Sequence, residues 1–149
     1  MSEFHKSLKI GEYIEYMILE IIKEKYPLAY KVEGYFKDYD IYVPEKKLKI
    51  EVKFDKKSLY TGNFVVEIEM YNKPSALFVT KSDFWIFYDG FELMYIKPIE
   101  IKDIIIWNEL KAVRFIGKGD TESKRAILVP KHLIRAKSKI QEWILPQTI

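Results

Sequence analysis

The segment that most constrains the fold is LeuLysIleGluValLysPhe, residues 48–54, in which apolar and charged residues alternate strictly. Because successive side chains of a β-strand point to opposite faces, this alternation predicts a strand with one apolar and one charged face. The apolar face carries Ile50, Val52 and Phe54, and the charged face carries Lys49, Glu51 and Lys53. Such a charged face is ordinary where it meets water, and it indicates function where it lines a cleft.

A hairpin is predicted immediately before this strand. ProGluLysLys, residues 44–47, has Pro at its first position and is typical of a turn, and AspIleTyrVal, residues 40–43, is the expected partner strand. A turn of this length pairs Val43 with Leu48. The same register sets Asp40 opposite Glu51, so two carboxylates are expected close together, with Lys53 one same-face step beyond.

The other patterns predict an α/β domain around a mixed sheet flanked by helices. A helix is expected over residues 7–26, with Ser7 as its N-cap and Pro27 after its end. Further elements are expected as strands at 64–70, 84–88, 91–96 and 126–129, polar loops at 55–62 and 117–124, a short helical stretch within 74–83, a helix from Pro98 to about Lys111, and a terminal region helical through Trp143. The 64–70 strand is expected to pair beside Glu51 as the third strand of a meander.

Composition bounds the class of protein. A length of 149 residues fits one domain, 1–149, and the chain has no Cys and only two His, which excludes disulfides and argues against a zinc site. The net charge of +3 permits a nucleic-acid partner without demanding one. The first residues lack a signal-peptide pattern and no apolar run has the length of a membrane span, so an intracellular protein is expected, cytoplasmic or in the host cytoplasm if viral.

The carboxylate pair carries the expected chemistry. Two close carboxylates repel each other unless a cation lies between them, and oxygen ligands without His or Cys favour Mg²⁺ or Mn²⁺. Such an ion polarises a phosphate and lowers the pKa of bound water, and a nearby lysine offsets charge that develops on phosphate oxygens. This is the equipment for phosphodiester hydrolysis.

The Glu-x-Lys triplet by itself is weak evidence. Six Asp/Glu-x-Lys triplets occur, and they begin at Glu45, Glu51, Asp55, Glu100, Glu109 and Glu122. Only the triplet at Glu51 lies within a predicted strand with an Asp at the start of the partner strand. Solvated charges on an amphipathic hairpin remain the alternative interpretation, and the residues alone favour it.

Two motifs carry a family resemblance. AspIleTyrVal from Asp40, with GluValLys eleven residues after that Asp, resembles the core of PD-(D/E)xK nucleases, with Tyr39 where the family's name places Pro. GlyGluTyrIleGlu, residues 11–15, is similar to the Gly-x-x-x-Glu pattern of archaeal Holliday junction resolvases. That pattern places the family's helix-borne carboxylate at Glu15, and Glu12 is the competing candidate.

The resemblance implies a restriction-endonuclease-like core and a Mg²⁺-dependent DNA endonuclease, with Mn²⁺ able to substitute. It implies that Asp40, Glu51 and the Val52 carbonyl bind the metal, that Lys53 serves the attacking water, and that Glu15 completes or tunes the site. Branched DNA is the favoured substrate. Because a resolvase cuts two strands symmetrically, a homodimer is the expected assembly.

Several further residues have both a functional and a structural interpretation. Possible additional site residues or DNA contacts are Glu67, Thr61, Asn63, Ser75, Lys56 and Lys57. The ordinary alternatives are cross-strand pairing, loop closure, helix capping and lysine-rich solvated turns. A basic C-terminal third, consisting of Lys118, Lys124, Arg125, Lys131, Arg135, Lys137 and Lys139, is either a second DNA-contacting surface or a solvated face. Trp85 and Trp107 are expected in the core.

Three rival functions remain from the sequence. The chain could be a nuclease of the same fold acting on other DNA in repair, replication or restriction. It could be a non-catalytic nucleic-acid-binding domain of that fold. It could also be a protein-interaction subunit with a fortuitous hairpin, and this rival predicts that Glu15, Asp40 and Glu51 lie far apart.

Overall fold

The computed structural model describes residues 3–34, 37–116 and 123–139, which form an α/β fold with two sheets. The helices are α1 (Glu3–Lys25), α2 (Ser58–Thr61), α3 (Pro98–Trp107) and α4 (Lys131–Lys137). The strands are β1 (Tyr30–Lys31), β2 (Ile41–Val43), β3 (Leu48–Phe54), β4 (Asn63–Met70), β5 (Lys73–Pro74), β6 (Phe84–Tyr88), β7 (Leu93–Ile96), β8 (Ala112–Phe115) and β9 (Lys124–Pro130). A single 3₁₀ turn spans Ala76–Phe78.

The first sheet is mixed, has five strands and follows the order β1-β2-β3-β6-β7. Strands β1, β2 and β3 form an antiparallel meander, β6 runs parallel to β3, and β7 returns antiparallel to β6. The second sheet is antiparallel and follows the order β5-β4-β9-β8. The long connection from β3 to β6 therefore contributes β4 and β5 to the second sheet before it returns to the first.

Helix α1 covers one face of the five-stranded sheet. Its apolar residues Ile14, Ile18 and Ile22 recur at helical spacing and are buried against Ile50 and Ile86 of the sheet. The polar residues of α1 are left to face solvent or the edge of the sheet. This packing fixes the position of Glu15, which follows directly after a buried residue.

The opposite face of β6 and β7 packs against the second sheet. Trp85 and Phe87 of β6 lie in one cluster with Phe64 of β4, Ile101 of α3 and Ile134 of α4. Because both faces of β6 are covered, its sequence is a continuous apolar run rather than an alternating one. The first sheet is thus flanked by α1 on one side, and by the second sheet and the later helices on the other.

The predicted hairpin is confirmed, including its register. Val43 pairs with Leu48 and Ile41 with Ile50, on either side of a turn over residues 44–47. The predicted pairing of β3 with the 64–70 strand is wrong. The 64–70 segment forms β4 in the second sheet, and the parallel neighbour of β3 is β6. The third strand of the antiparallel meander is the two-residue β1, which lacks any alternating pattern.

Other differences are local. Helix α1 begins at Glu3, so Ser7 lies inside it and is not its N-cap, and a one-turn helix, α2, occupies part of the expected 55–62 loop. Strand β8 was not predicted, and α3 ends at Trp107 rather than near Lys111. Trp85 is buried as expected, but Trp107 is 84% exposed. Lys118 and Trp143 lie outside the described residues.

No helix of the described part of the chain combines the length and apolar character needed to cross a membrane.

Candidate functional site

Asp40 lies directly before β2, where its side chain continues the hydrogen bonding of the hairpin to β3. The Asp40 amide donates to the Ile50 carbonyl at 2.9 Å, and the Val52 amide donates to Asp40 Oδ2 at 2.7 Å. A carboxylate that accepts a backbone amide makes a strong, directional bond, so the buried Asp40 side chain is fixed against β3.

Glu51 meets Asp40 across the hairpin. The two carboxyl groups share a hydrogen bond, and burial of the Glu51 carboxyl raises its pKa to about 8. Lys53 opposes this rise, whereas the charge of Asp40 and the shared hydrogen bond add to it. A protonated Glu51 donates to Asp40, and sharing a proton in this way relieves the repulsion between two close carboxylates.

Lys53 lies on the same face of β3 as Glu51, as the alternation predicts. Its Nζ lies 5.0 Å from the centroid of the Trp85 ring, which belongs to the neighbouring strand β6. This cation–π contact steadies the ammonium beside Glu51 without neutralising it. The lysine is therefore available to a negatively charged ligand.

A second lysine, Lys37, joins the carboxylates from the other side. Its Nζ lies 2.9 Å from Glu15 Oε1, 3.2 Å from Asp40 Oδ1 and 3.4 Å from the Val32 carbonyl. Partial burial works to lower the pKa of Lys37, but the hydrogen bond to Glu15 and the charge of Asp40 outweigh it and raise the pKa. Lys37 is therefore a firmly charged group within the cluster.

Glu15 reaches the cluster from helix α1, whereas Glu12 is exposed. Burial raises the pKa of the Glu15 carboxyl, the hydrogen bond from Lys37 opposes this, and the charge of Asp40 adds to the rise. Glu15, Asp40 and Glu51 are thus linked in series through Lys37 and through the shared carboxyl hydrogen bond. The expectation of the protein-interaction rival, that these three residues lie far apart, is wrong.

The donor set fits a hard divalent cation, although the carboxylates are not arranged around one. Among the described residues, no group of three or more His, Cys, Asp or Glu side chains is placed to hold a metal ion. The reason is visible in the geometry, since the Lys37 ammonium separates Glu15 from Asp40. Asp40 and Glu51 remain as a pair of neighbouring carboxyl groups, and burial, with the charge of Asp40 adding to it, raises the pKa of Glu51.

A cleft of about 830 Å³ opens beside this cluster. It is bounded by the N-terminal half of α1, the end of β3 and the segment through α2, with the lining residues Ile10, Gly11, Glu15, Val52, Lys53, Phe54, Asp55, Lys56, Lys57 and Tyr60. Three of its lining side chains are lysines: Lys53, Lys56 and Lys57. The cleft therefore combines three lysines with the carboxylates of Glu15 and Asp55, whereas Asp40 and Glu51 are not among its lining residues.

Glu67 lies in the second sheet instead, and Ser75 lies directly after its strand β5. Glu67 is on β4, where its Oε1 accepts from Ser75 Oγ at 2.8 Å and its Oε2 lies 3.5 Å from Lys124 Nζ. These contacts match the cross-strand pairing interpretation. The placement of Glu67 beside Glu51 was wrong because it depended on β4 pairing with β3.

Thr61 and Asn63 close the turn after α2. Thr61 Oγ1 accepts from the Asn63 amide and donates to the Asn63 carbonyl, both at 3.1 Å. Gly62 between them has a φ of 75°, a left-handed conformation that favours glycine. The Thr61 hydroxyl and the Asn63 backbone are thus used within the loop, and neither residue lines the cleft.

Sequence reasoning missed Lys37 and Tyr60. Lys37 lies three residues before Asp40 in a polar, aromatic segment without periodicity, so nothing in the pattern pointed to it. Tyr60 was hidden in the expected loop, yet it is 84% exposed at the cleft. An aromatic residue three positions after a lysine pair was the one available signal.

Comparison with models of protein families, with curated proteins and with solved structures finds no match to this chain. The site is therefore defined by its own geometry.

Proposed function

We propose that the chain is a metal-dependent DNA endonuclease of the PD-(D/E)xK type, with Asp40, Glu51 and Lys53 at its catalytic centre. The observation that carries the proposal is the meeting of the Asp40 and Glu51 carboxyls on the buried hairpin, where burial and Asp40 raise the pKa of Glu51 to about 8. A protein that only binds nucleic acid gains nothing from placing two carboxylates toward phosphate. A divalent cation makes the arrangement favourable.

Each residue of the proposed centre has a distinct role. Asp40 and Glu51 would hold Mg²⁺ or Mn²⁺, with the Val52 carbonyl as the further ligand that the family resemblance implies. When bound, the ion supplies a Lewis acid and lowers the pKa of a water molecule. Lys53, steadied over Trp85, orients that water and offsets charge on the phosphate oxygens. Lys56 and Lys57 position the DNA backbone along the cleft.

The topology supports a restriction-endonuclease-like core. A helix is followed by the antiparallel meander β1-β2-β3, with Asp40 at the start of β2 and the Glu-x-Lys triplet on β3. The sheet then continues with β6, parallel to β3. The connection between β3 and β6 departs from the helix expected there, since it contains only short helical turns and the strands β4 and β5.

Branched DNA is the proposed substrate, and a homodimer that cuts two strands symmetrically is the proposed assembly. The support is Glu15, the residue that the resolvase-like pattern of residues 11–15 singles out. It reaches the Lys37–Asp40 contact and lines the cleft. Nuclease action on other DNA keeps the same centre and differs in the surface beyond it.

The proposal is tested by cleavage of a labelled four-way junction beside matched linear duplex and single strands, with Mg²⁺ or EDTA. Glu51→Gln is the test variant and Glu67→Gln, in the second sheet, is its matched control. Paired cuts in the junction, lost with EDTA and with Glu51→Gln alone, are expected. Equal cutting of all substrates with the same dependence would remove the junction preference only. DNA binding without metal-dependent cutting would instead indicate a non-catalytic binding domain.

A further inference from the structure

Lys37 occupies a position that is built as a cation site. Its ammonium lies within 3.4 Å of three oxygens from three segments: Glu15 Oε1 on α1, Asp40 Oδ1 before β2, and the Val32 carbonyl after β1. The Lys37, Glu15 and Asp40 side chains are only 18%, 15% and 10% exposed. A solvated ion pair is dynamic and contributes little, whereas a buried one fixes its partners.

An exposed ion pair that involves Asp38, the residue after Lys37, shows the contrast. Lys81 and Asp38 are 3.7 Å apart, with side chains 67% and 59% exposed. That contact involves one oxygen and remains in solvent. Lys37 instead bridges two carboxylates and a backbone carbonyl, which is the ligand chemistry of a hard cation.

We propose that Lys37 is the resident second cation of the centre, so that the protein binds one divalent ion rather than two. This inference rests on the proposed function. Two-metal nuclease centres hold their ions about 4 Å apart and share a carboxylate between them. Here Asp40 would be the shared carboxylate, with Oδ1 toward Lys37 and Oδ2 toward β3, where it accepts from the Val52 amide.

Lys37 is therefore a positioning residue rather than a catalytic one. Its ammonium fixes the Asp40 carboxylate and takes up the charge of Glu15. Without it, Glu15, Asp40 and the Val32 carbonyl would form an open set of oxygen ligands able to accept a second ion. The inference predicts a change in the number of ions bound, which a purely structural role would not produce.

The test counts bound Mn²⁺ by titration against the electron paramagnetic resonance signal of the free ion, without DNA. Wild type is expected to bind one ion, and Glu51→Gln none. Lys37→Met is expected to bind two, and Lys37→Arg, which keeps the charge, one. Lys81→Met is the matched control and is expected to bind one. Thermal unfolding checks that each variant is folded.

The outcomes separate this inference from the proposed function. One ion in wild type and one in folded Lys37→Met would overturn the role of Lys37 and leave the centre intact. Two ions in wild type would also overturn it, whether or not Lys37→Met folds. No ion in wild type would overturn both the proposed metal centre and this inference.

Discussion

Strands β3 and β4 are alike in sequence and different in what their charged faces meet. Both alternate apolar and charged residues, with Glu51 and Lys53 on β3 and Glu67 and Glu69 on β4. On β4 each glutamate has a basic partner on β9: Glu67 lies 3.5 Å from Lys124, and Glu69 lies 3.3 Å from Arg125. On β3, Glu51 instead meets another carboxylate, that of Asp40.

The difference shows that topology, rather than the alternating pattern, distinguishes a structural charged face from a functional one. Strand β9 places cations beside β4, and the paired charges are satisfied within the fold. The hairpin places Asp40 beside β3, so two carboxyl groups meet with one direct ion-pair partner among the described residues, Lys37, which lies 3.2 Å from Asp40. A carboxyl pair with a single lysine partner is where a bound cation has the most to contribute.

The same contrast applies to the basic residues. In the C-terminal third, Lys131 lies 2.6 Å from Asp89, and Arg135 makes two 2.8 Å hydrogen bonds to Glu92. Within the described residues, Lys56 and Lys57 at the cleft have no ion-pair partner. The cleft lysines are therefore better placed to bind phosphate than Lys131 and Arg135 of the C-terminal third.

The largest expected effect is on catalysis. Asp40→Asn or Glu51→Gln should reduce DNA cleavage by at least about 10³-fold, because each removes a proposed metal ligand. Glu67→Gln and Glu69→Gln should leave the cleavage rate within about threefold of that of wild type, since each removes only the small stabilisation of one ion pair. Single-turnover cleavage in Mg²⁺ measures all four variants. Equal losses of cleavage rate in the variants of β3 and β4 would show that the charged faces of these two strands do not differ in function.

The next effect is on stability. The folded-state pKa of Glu51, about 8, lies above its ordinary value of 4.5, so its contribution to stability is complete below pH 4.5 and is lost as pH rises through 8. Glu51→Gln, which cannot ionise, should therefore melt higher than wild type at pH 8 in EDTA by about 5–10 °C, with the difference vanishing toward pH 4.5.

Thermal unfolding in EDTA across this pH range measures the effect. Glu67→Gln is the control and should be destabilised slightly, by about 0.5–1 kcal/mol, because it weakens its contacts with Ser75 and Lys124. A Glu51→Gln protein that melts below wild type at pH 8 would contradict the raised pKa of Glu51.

A smaller effect is expected on DNA affinity. Replacing Lys56 and Lys57 together by Ala should weaken binding about tenfold and reduce the slope of log K against log salt by about two, because two phosphate contacts are lost. Arg135→Ala, already paired with Glu92, should leave the slope unchanged. Fluorescence anisotropy in EDTA over a series of salt concentrations gives both quantities.

The smallest expected effect concerns Tyr60. An exposed aromatic ring beside lysines at a cleft is suited to stacking on an unpaired base, so Tyr60→Ala should weaken single-strand binding about fivefold. Tyr60→Phe should retain affinity, because the ring rather than the hydroxyl makes the contact. Tyr71→Ala, at an exposed residue of the turn between β4 and β5, is the control. Equal losses in both alanine variants would argue against a specific stacking role.

The parts of the site that could be predicted from sequence are local. Asp40 directly precedes β2 and Glu51 lies on β3, and a four-residue turn joins these two strands. The register of one hairpin was therefore enough to bring the two residues together. The pairing of β4 with β9 joins segments about 60 residues apart, and nothing in the pattern of β4 distinguishes that partner from β3. Lys37 was missed for a similar reason, since its contact with Glu15 depends on how α1 packs on the sheet.

Burial was predicted well where the pattern was unambiguous. Trp85 lies in an apolar run of strand length and is 1% exposed. Trp107 ends α3 next to an apolar stripe, but at the end of the helix it turns away from the core. Apolar periodicity fixes the face of a helix in its middle more firmly than at its last residue.

The central claim, that Asp40 and Glu51 form a divalent-metal centre, is tested most directly by anomalous diffraction from crystals soaked in Mn²⁺ above pH 8. One anomalous peak within about 2.2 Å of oxygens from both carboxylates is predicted, with no peak at Glu67 or Glu69 on β4. The peak should be absent from Glu51→Gln crystals. A fully occupied Mn²⁺ elsewhere, with Asp40 and Glu51 still hydrogen-bonded to each other, would contradict the claim.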